Sequence, residues 1–370
     1  MKKTLKMLTY IIIFLTISLP AFLLINPHFG SNPTKLQKQF YENLSNYQNG
    51  EFANSETFEM MTGEMSMYEF FKSDSNRKPK ESLKHRNLDL KQFANENSEK
   101  IKLSWLGHSA FLLNINGKII LLDPMLGQYA SPVPLPSLKR YSKELGFSID
   151  EFETIDAVVF SHDHYDHLDY STIKKIRNKV THFYVPHGLG NHLNKWGIEQ
   201  DKITELNWNE KILMDDIEFV CLPALHFSGR GPFNRNSTLW SSWAIKSPYG
   251  KIYFSGDSGY GTHFKQIGDN HGPFDIALID CGQYNDAWKF SHMVPEEAVQ
   301  ASQDLRSKYF MPIHWGGFTL STHAWTEPVE RALSFATSVD QKTITPELGQ
   351  ILYLDQEIEK TNFRWWDDLK

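Results

Sequence analysis

Cysteine is scarce in this chain, which has two, Cys221 and Cys281, in 370 residues. Two cysteines cannot form the several bridges that hold small secreted domains together, although one disulfide stays open to them. We expect both to be buried free thiols. A hydrophobic core must hold the fold instead, and 41% apolar residues in a chain of this length can build one large domain or two small ones.

Positive charge is also in short supply. Lys and Arg number 38 against 44 Asp and Glu, which gives a net charge of −6 at pH 7. The sequence lacks the basic stripe that would neutralise a phosphate backbone, so nucleic acid is not an expected partner. Internal repeats and coiled-coil heptads are missing as well, which argues against a repeat or fibrous architecture.

One long apolar run stands at the N-terminus. Three lysines precede Met7–Ile25, an uncharged stretch of 19 residues, which is close to the roughly 20 that cross a bilayer as a helix. Secretory signals have a shorter apolar core and a small-residue cleavage site that this stretch lacks. The sequence therefore predicts an uncleaved membrane anchor over residues 1–25, with the later residues outside the cytoplasm. Pro20 leaves open the alternative of a cleaved signal and a secreted protein.

The rest of the chain divides into three parts by composition. Residues 26–98 are rich in Asn, Ser and Lys and are predicted to form an extended polar collar. Within it, the Met- and Phe-rich insert Phe58–Phe71 is expected to pack on the domain, and a soft apolar surface that meets lipid is the alternative. Residues 99–355 are predicted to form the main domain, and residues 356–370 a C-terminal tail.

Short apolar strands dominate residues 99–355. Asn116-Gly117 separates two apolar runs and predicts a two-residue hairpin. Helices are predicted at "DYSTIKKIRNK" and at "VPEEAVQASQDL", where Pro295 and acidic residues mark a helix start. Strands with helices outside them imply a layered α/β domain.

Four of these strands end in side chains that bind metal ions. The donors are His162, His164, Asp166, His167, His226, Asp257 and His314. His162 and His164 are two residues apart and point the same way in an extended segment, so they can pinch one ion. Asp166 and His167 lie just past the bend and can hold a second. Imidazole and carboxylate donors without thiolate suit zinc or a similar divalent metal, and seven donors with one shared carboxylate describe two neighbouring sites.

The motifs carry a family resemblance over about residues 99–355. His-x-His-x-Asp-His after a strand, Ser-Gly-Asp-Ser-Gly and Pro-Ile-His-Trp resemble the metallo-β-lactamase superfamily, which implies a four-layer αββα sandwich. Within it, "WLGHSAF", "LLDP", "LHFSGRGPFNRNSTLWSSW", "YFSGDSGYG" and "HMVPEEAV" are most similar to the N-acylphosphatidylethanolamine-hydrolysing phospholipase D group. That likeness implies two zinc ions, with iron or manganese left open, and cleavage of the lipid to phosphatidic acid and an N-acylethanolamine.

The resemblance also implies roles for single residues. It divides the seven donors between two ions: His162, His164 and His226 on one, Asp166, His167 and His314 on the other, and Asp257 shared. Asp257, Asp166 and His292 are the implied catalytic residues. His292 could donate a proton to the leaving group or bind the phosphate, and a local helix cap is its alternative.

Four further residues are weaker candidates for substrate contacts: Arg230, Arg235, Trp240 and His108. Each has a structural alternative. The arginines could hold a phosphate or could be inert surface groups, and Trp240 could stack in the core with Trp243. His108 could orient a metal ligand or could be a structural histidine with satisfied hydrogen bonds.

The predicted function is that of a binuclear zinc hydrolase, a phospholipase D-type phosphodiesterase that attacks N-acylphosphatidylethanolamine-like lipids with a metal-bridging hydroxide. The related ascorbate-6-phosphate lactonases supply the alternative of a lactonase or other small-molecule hydrolase. β-Lactam hydrolysis stays open, and a metal-binding protein without activity is disfavoured because all seven donors are present. The expected partners are a phospholipid or other phosphodiester and the membrane, and a homodimer is left open.

Overall fold

The computed structural model describes residues 6–7, 10, 13–14, 19–56, 59, 61–72, 75–95, 101–354, 358 and 364–370. The N-terminal part holds short elements: α1 (Leu19–Ile25), α2 (Lys35–Tyr41), the hairpin β1 (Tyr47–Gln48) and β2 (Glu51–Phe52), α3 (Met67–Phe71) and α4 (Leu90–Asn95). Two larger sheets follow and make up the body of the protein.

The first of these sheets has seven strands in the order β15-β3-β4-β5-β6-β7-β8. Their bounds are β3 Ile101–Trp105, β4 Phe111–Ile115, β5 Lys118–Leu122, β6 Ile155–Val159, β7 Val180–Pro186, β8 Ile203–Leu206 and β15 Ile351–Tyr353. The strands from β5 to β8 are parallel. The predicted hairpin is confirmed between β4 and β5, because Ile115 pairs with Lys118 and the turn residues Asn116 and Gly117 both have positive φ.

The second sheet has six strands in the order β14-β13-β12-β11-β10-β9. Their bounds are β9 Lys211–Met214, β10 Ile217–Leu222, β11 Ser242–Ser247, β12 Gly250–Phe254, β13 Ile276–Asp280 and β14 Tyr309–Ile313. Because β10 and β12 are both antiparallel to β11, and β12, β13 and β14 are parallel, four of these strands end at the same edge.

Helices cover the outer face of each sheet. Their bounds are α5 Tyr170–Ile176 and α6 Gly190–Lys195 on the first sheet, and α7 His263–His271, α8 Pro295–Asp304 and α9 Glu327–Ser338 on the second. The predicted helices at Tyr170 and Pro295 are confirmed, and Asp169 caps the first of them by accepting from two backbone N–H groups.

The main hydrophobic core lies between the two sheets. Alternate strand residues of both sheets meet there, among them Leu113 and Phe111 from the first and Phe219 and Phe254 from the second. With the helices outside, the order of layers is helix, sheet, sheet, helix. The predicted αββα sandwich is confirmed.

The N- and C-terminal segments of the chain can be compared with the predicted domain boundaries. Among the described residues, no helix combines the length and apolarity that a membrane crossing requires, and residues 1–5, 8–9, 11–12 and 15–18 of the predicted anchor lie outside them. Residues 58 and 60, at the start of the predicted insert, also lie outside them. Trp366, in the predicted tail, is fully buried in the core between the sheets. The boundaries at residues 25, 98 and 355 stay predictions.

Two predictions about packing can be compared with the structure directly. The thiols of Cys221 and Cys281 are free and buried, as predicted. The described part of the Phe58–Phe71 insert contacts the domain through Thr62, whose backbone N–H donates to the Ala287 carbonyl at 2.7 Å. Tyr68 in the same insert is 76% exposed.

Candidate metal centre

The predicted donors come from four strand ends that face one another across the two sheets. His162–His167 follow β6 of the first sheet, and His226, Asp257 and His314 follow β10, β12 and β14 of the second. The two edges approach closely at Gly256, where φ is +57° and an added Cβ would lie 2.4 Å from the Ser161 Cβ. Glycine is therefore required beside Asp257 for the donors to converge.

The first group of donors lies around His164. Its Nδ1 is 2.9 Å from Nε2 of His162 and 3.2 Å from Nε2 of His226. Oδ2 of Asp257 is 3.7 Å from Nε2 of both His162 and His226. One ligand atom from each of these four residues fits within 4.8 Å of the others.

The second group lies on the other side of the same carboxylate. Oδ1 of Asp257 is 3.0 Å from Nε2 of His167 and 3.1 Å from Nδ1 of His314. Oδ2 of Asp166 is 3.5 Å from Nε2 of His167 and 3.8 Å from Nε2 of His314. Asp257 thus presents one oxygen to each group. The structure brings all seven predicted donors together.

The chemistry of this cluster fits divalent cations. Burial holds the pKa of His162, His226 and His314 well below the ordinary value, so these imidazoles are neutral and carry lone pairs. Nε2 of His167 and Oδ1 of Asp257 are buried 3.0 Å apart, yet neither makes a well-aligned hydrogen bond to any described residue. Crowded lone pairs of this kind are costly unless a cation lies between them. Nitrogen and oxygen donors in this number are the set that zinc takes at a catalytic site.

A carboxylate and an imidazole support the second group from behind. Nδ1 of His167 is 2.7 Å from Oδ2 of Asp123, which fixes the ring and leaves Nε2 to face the cluster. Nε2 of His108 is 2.8 Å from Oδ2 of Asp166. Both Asp123 and His108 are buried. His108 therefore touches a donor carboxylate, which agrees with the orienting role rather than with a substrate contact.

Neutral groups support the first group. The Ser161 hydroxyl is 2.9 Å from Nδ1 of His162, and Nδ1 of His226 donates to the Ser291 carbonyl at 3.0 Å. His164 is only partly buried, and the ring of Phe227 lies 4.6 Å from its ring. The first group is thus the side of the cluster that faces outward.

His292 lies between the two groups. Its ring is stacked on that of His314 at 5.1 Å and is edge-on to that of His226 at 5.1 Å. Its Nδ1 is 2.8 Å from Oδ2 of Asp280, which is fully buried. Burial raises the pKa of Asp280 to about 6 even beside this imidazole. Because Nδ1 faces Asp280, a proton transfer at His292 has to use Nε2.

Arg230 does not reach the cluster as a substrate contact. It is 2% exposed, and its guanidinium donates to the carbonyl groups of His28, Asp163 and Leu168. Asp163, which lies between two donors in the sequence, accepts from the Gly229 N–H at 2.7 Å. The prediction of a substrate contact for Arg230 is wrong, because burial turns this arginine into a structural link between three segments.

Trp240 is buried, as its structural alternative predicts, but it lies in a different hydrophobic cluster from Trp243. It is 1% exposed and packs against Tyr41 and Phe52 of the collar, and its Nε1 donates to the Ala224 carbonyl at 3.0 Å. It therefore joins the collar to the domain and is not placed to line a pocket. Arg235 is exposed, and its guanidinium lies 4.3 Å from the centre of the Phe227 ring. A contact between Arg235 and the substrate stays a prediction.

Two supporting carboxylates were not among the predicted site residues. Asp123 directly follows β5, and Asp280 is the last residue of β13. The rule that found the donors, a polar residue at the end of an apolar strand, applies to both and would have found them. His192, whose Nε2 lies 3.1 Å from Oδ2 of Asp163, comes from a helix that the sequence did not predict.

Comparison with known proteins gives a consistent set of similarities. A family model described as a beta-lactamase superfamily domain matches residues 118–315. An uncharacterised protein of Mycobacterium tuberculosis is 39% identical over 318 residues, which is 84% of each chain. The N-acyl-phosphatidylethanolamine-hydrolyzing phospholipase D 1 of Caenorhabditis elegans is 34% identical over 265 residues, 67% of this chain and 74% of that protein. A metallo hydrolase structure from Ignicoccus hospitalis matches with a TM-score of 0.52 at 22% identity, covering 69% of this chain and 99% of that one.

Proposed function

This chain belongs to the beta-lactamase superfamily as a metal-dependent hydrolase, and from that premise we propose that it is a binuclear zinc phosphodiesterase of phospholipase D type. Its substrate is an N-acylphosphatidylethanolamine-like phospholipid. The observation that carries the proposal is the carboxylate of Asp257, which presents one oxygen to each of two imidazole groups. The similarity to the nematode phospholipase supports the choice of substrate.

The residues of the chain have separate tasks in this reaction. When two zinc ions are bound, they supply Lewis acidity and an activated water at neutral pH. The first group of donors, open on the side of His164, is where the phosphodiester enters. Asp280 fixes the ring of His292, so that Nε2 can give a proton to the leaving alkoxide of the N-acylethanolamine.

Zinc is the proposed metal because the donors are imidazole and carboxylate, and neither cysteine is among them. Iron and manganese accept the same donor types. Metal analysis of the full chain purified without added metal distinguishes them. Two equivalents of zinc per chain are expected, and a chain that is active with iron alone would overturn the choice of zinc.

The test of the activity offers three substrates to the full chain loaded with two equivalents of zinc. They are vesicles of N-acylphosphatidylethanolamine, bis(p-nitrophenyl) phosphate and a panel of lactones. We expect phosphatidic acid from the vesicles, nitrophenolate from the soluble diester, and neither product from the His164→Ala variant. Lactone turnover without cleavage of either phosphodiester would overturn the proposal in favour of carbonyl chemistry.

We propose in addition that residues 1–25 anchor the chain in a membrane, with the metal centre outside the cytoplasm. Three described apolar residues of this run, Met7, Tyr10 and Phe14, are 59%, 69% and 67% exposed, which is costly in water and favourable in lipid. Protease added to spheroplasts of an expressing host should digest the domain while a cytoplasmic marker survives. Digestion of the domain only after the cells are lysed would contradict a location outside the cytoplasm. The homodimer stays a prediction, which analytical ultracentrifugation of the chain in solution can test.

A further inference from the structure

The segment that follows α1 is bound to the loop that carries the metal donors. Nε of Arg230 donates to the His28 carbonyl at 2.9 Å, and Nη1 of the same guanidinium donates to the Asp163 carbonyl at 2.6 Å. One buried cation thus holds the N-terminal segment and the His162–His167 loop together. The ring of Phe29 also stands edge-on to that of Tyr165, which lies between two donors in the sequence.

A second set of contacts fixes the same segment. The backbone N–H of Ser31 donates to Nδ1 of His192 at 2.9 Å, and Nε2 of that ring is 3.1 Å from Oδ2 of Asp163. Nε1 of Trp196 donates to the Pro27 carbonyl at 2.8 Å. The exit point of α1 is therefore fixed relative to the metal donors rather than joined to them by a free linker.

An apolar surface lies where this segment meets the loop after β10. Phe233 is 91% exposed, and Leu24 of α1 is 75% exposed. Leu23, Leu24, Phe29 and Phe233 line one shallow groove of about 410 Å³. Clustered apolar side chains on a surface mark a contact with another apolar phase.

One cation lines this groove and another lies two residues after Phe233, in a chain of net negative charge. Lys195 lines the groove itself. Arg235, two residues after Phe233, is exposed and lies over Phe227, whose ring is 4.7 Å from that of the donor His226. An exposed aromatic tip with cations beside it is the pattern of a segment that inserts among phospholipid headgroups.

We propose that Phe233, Leu24 and Arg235 form a lipid-contacting edge that seats the mouth of the metal centre on the surface of a phospholipid bilayer. The occupant is the bilayer because the groove includes Leu23 and Leu24 from the end of the apolar run Met7–Ile25, and because Lys195 in its lining is a cation that matches lipid phosphates. This deepens the proposed function and rests on its lipid substrate. The fixed segment then brings a lipid headgroup to the outward side of His164 without the lipid leaving its leaflet.

The first experiment measures contact with lipid and does not depend on activity. The full chain with Phe233→Cys is labelled with an environment-sensitive fluorophore and reconstituted into phosphatidylcholine–phosphatidylglycerol vesicles. The label is selective, because both native thiols are buried and burial raises their pKa. Leu213→Cys is the matched control, since Leu213 is also apolar and 64% exposed. Leu213 pairs with Glu218 at the start of β10, whereas His226 follows the opposite end of that strand.

We expect a blue-shifted emission that brominated lipid quenches at position 233 and neither effect at position 213. A label at 233 that stays water-like overturns the proposal. A blue shift that brominated lipid does not quench, and that disappears when the chain is diluted in the bilayer, would mean that a second copy covers the surface and would also overturn it.

The second experiment compares activity on vesicles with activity on the soluble diester. Phe233→Ser should lower the ratio of N-acylphosphatidylethanolamine hydrolysis to bis(p-nitrophenyl) phosphate hydrolysis about tenfold, since one partly inserted aromatic ring is lost. Leu213→Ser should leave the ratio unchanged. An unchanged ratio for Phe233→Ser overturns the lipid-contacting edge. Failure of the parent chain to cleave the lipid overturns the proposed function. The fluorescence result then decides by itself whether this surface contacts lipid.

Discussion

The two halves of the metal centre share Asp257 but are supported in different ways. Behind the second group, the carboxylate of Asp123 contacts His167 and the imidazole of His108 contacts Asp166, both in buried positions. Behind the first group stand a hydroxyl and a backbone carbonyl. A carboxylate behind a ligating imidazole makes that imidazole more basic and fixes its orientation more strongly than a neutral partner does. We infer that the second group is the tighter site and that the first, open at His164, exchanges its ion more readily and meets the substrate.

The largest expected effect removes the charge that both halves share. Asp257→Asn should lower hydrolysis of the soluble diester by at least about 100-fold and reduce metal content at both groups, since each loses an anionic oxygen. Asp340→Asn is the matched control, because Asp340 is exposed and has a left-handed backbone conformation that asparagine also adopts. Retained activity with two bound ions would contradict the shared role of Asp257.

The next change should separate the two halves. Asp123→Asn removes the negative charge behind His167 and should weaken zinc binding at the second group by about 10- to 100-fold. Calorimetric titration of the metal-free chain should then show one binding step displaced and the other nearly unchanged. Equal weakening of both steps would mean that the halves are not independently supported.

A third change leaves both halves in place and acts between them. Asp280→Asn should keep two bound ions but lower turnover about tenfold for diesters with an alkoxide leaving group, because His292 loses its fixed orientation. Bis(p-nitrophenyl) phosphate, whose nitrophenolate leaves without a proton, should be much less affected. The same loss with both substrates, or loss of a metal ion, would assign Asp280 to the metal centre itself.

The smallest expected effect tests the neutral support. Ser161→Ala removes the hydroxyl near His162 and should weaken zinc binding at the first group by about fivefold, in line with one neutral hydrogen bond. Asp123 also loses a donor in this variant, the Ser161 hydroxyl, but it keeps the Ser161 backbone N–H at 2.7 Å and the contact with His167, so the second group should change less. A larger effect at the second group would reverse the assignment of tight and exchangeable sites.

The layered fold and the donors could be predicted from the sequence because both depend on local patterns. Apolar runs of strand length, followed by His or Asp, locate the strand ends, and the family motifs fix which ends meet. The predicted donors from His162 to His314 lie together because they follow strands that are buried on both faces. Asp123 and Asp280 obey the same pattern, because each stands at the end of an apolar strand. The pattern therefore predicts them as well.

The contacts of Arg230 and Trp240 could not be predicted, because their partners are remote in sequence. Arg230 bonds to His28, 202 positions away, and Trp240 bonds to Asn54, 186 positions away. Nothing in the local pattern shows that a buried arginine will bind carbonyl groups instead of phosphate, since the side chain has the same donors for both. Such residues are resolved only when the chain segments that surround them are placed.

The burial of Trp366 bears on how the protein is made. Its ring is edge-on to that of Trp315 at 5.2 Å, and Trp315 directly follows the donor His314. During synthesis every metal donor leaves the ribosome before Trp366 does, and until then Trp315 has Trp105 and Trp325 as neighbours but lacks the ring of Trp366. The nascent chain can therefore hold a complete donor set while its domain is still unfinished. A product that ends at residue 355 would keep all seven donors but expose Trp315, and we expect cellular proteases to remove it rather than find a smaller working enzyme.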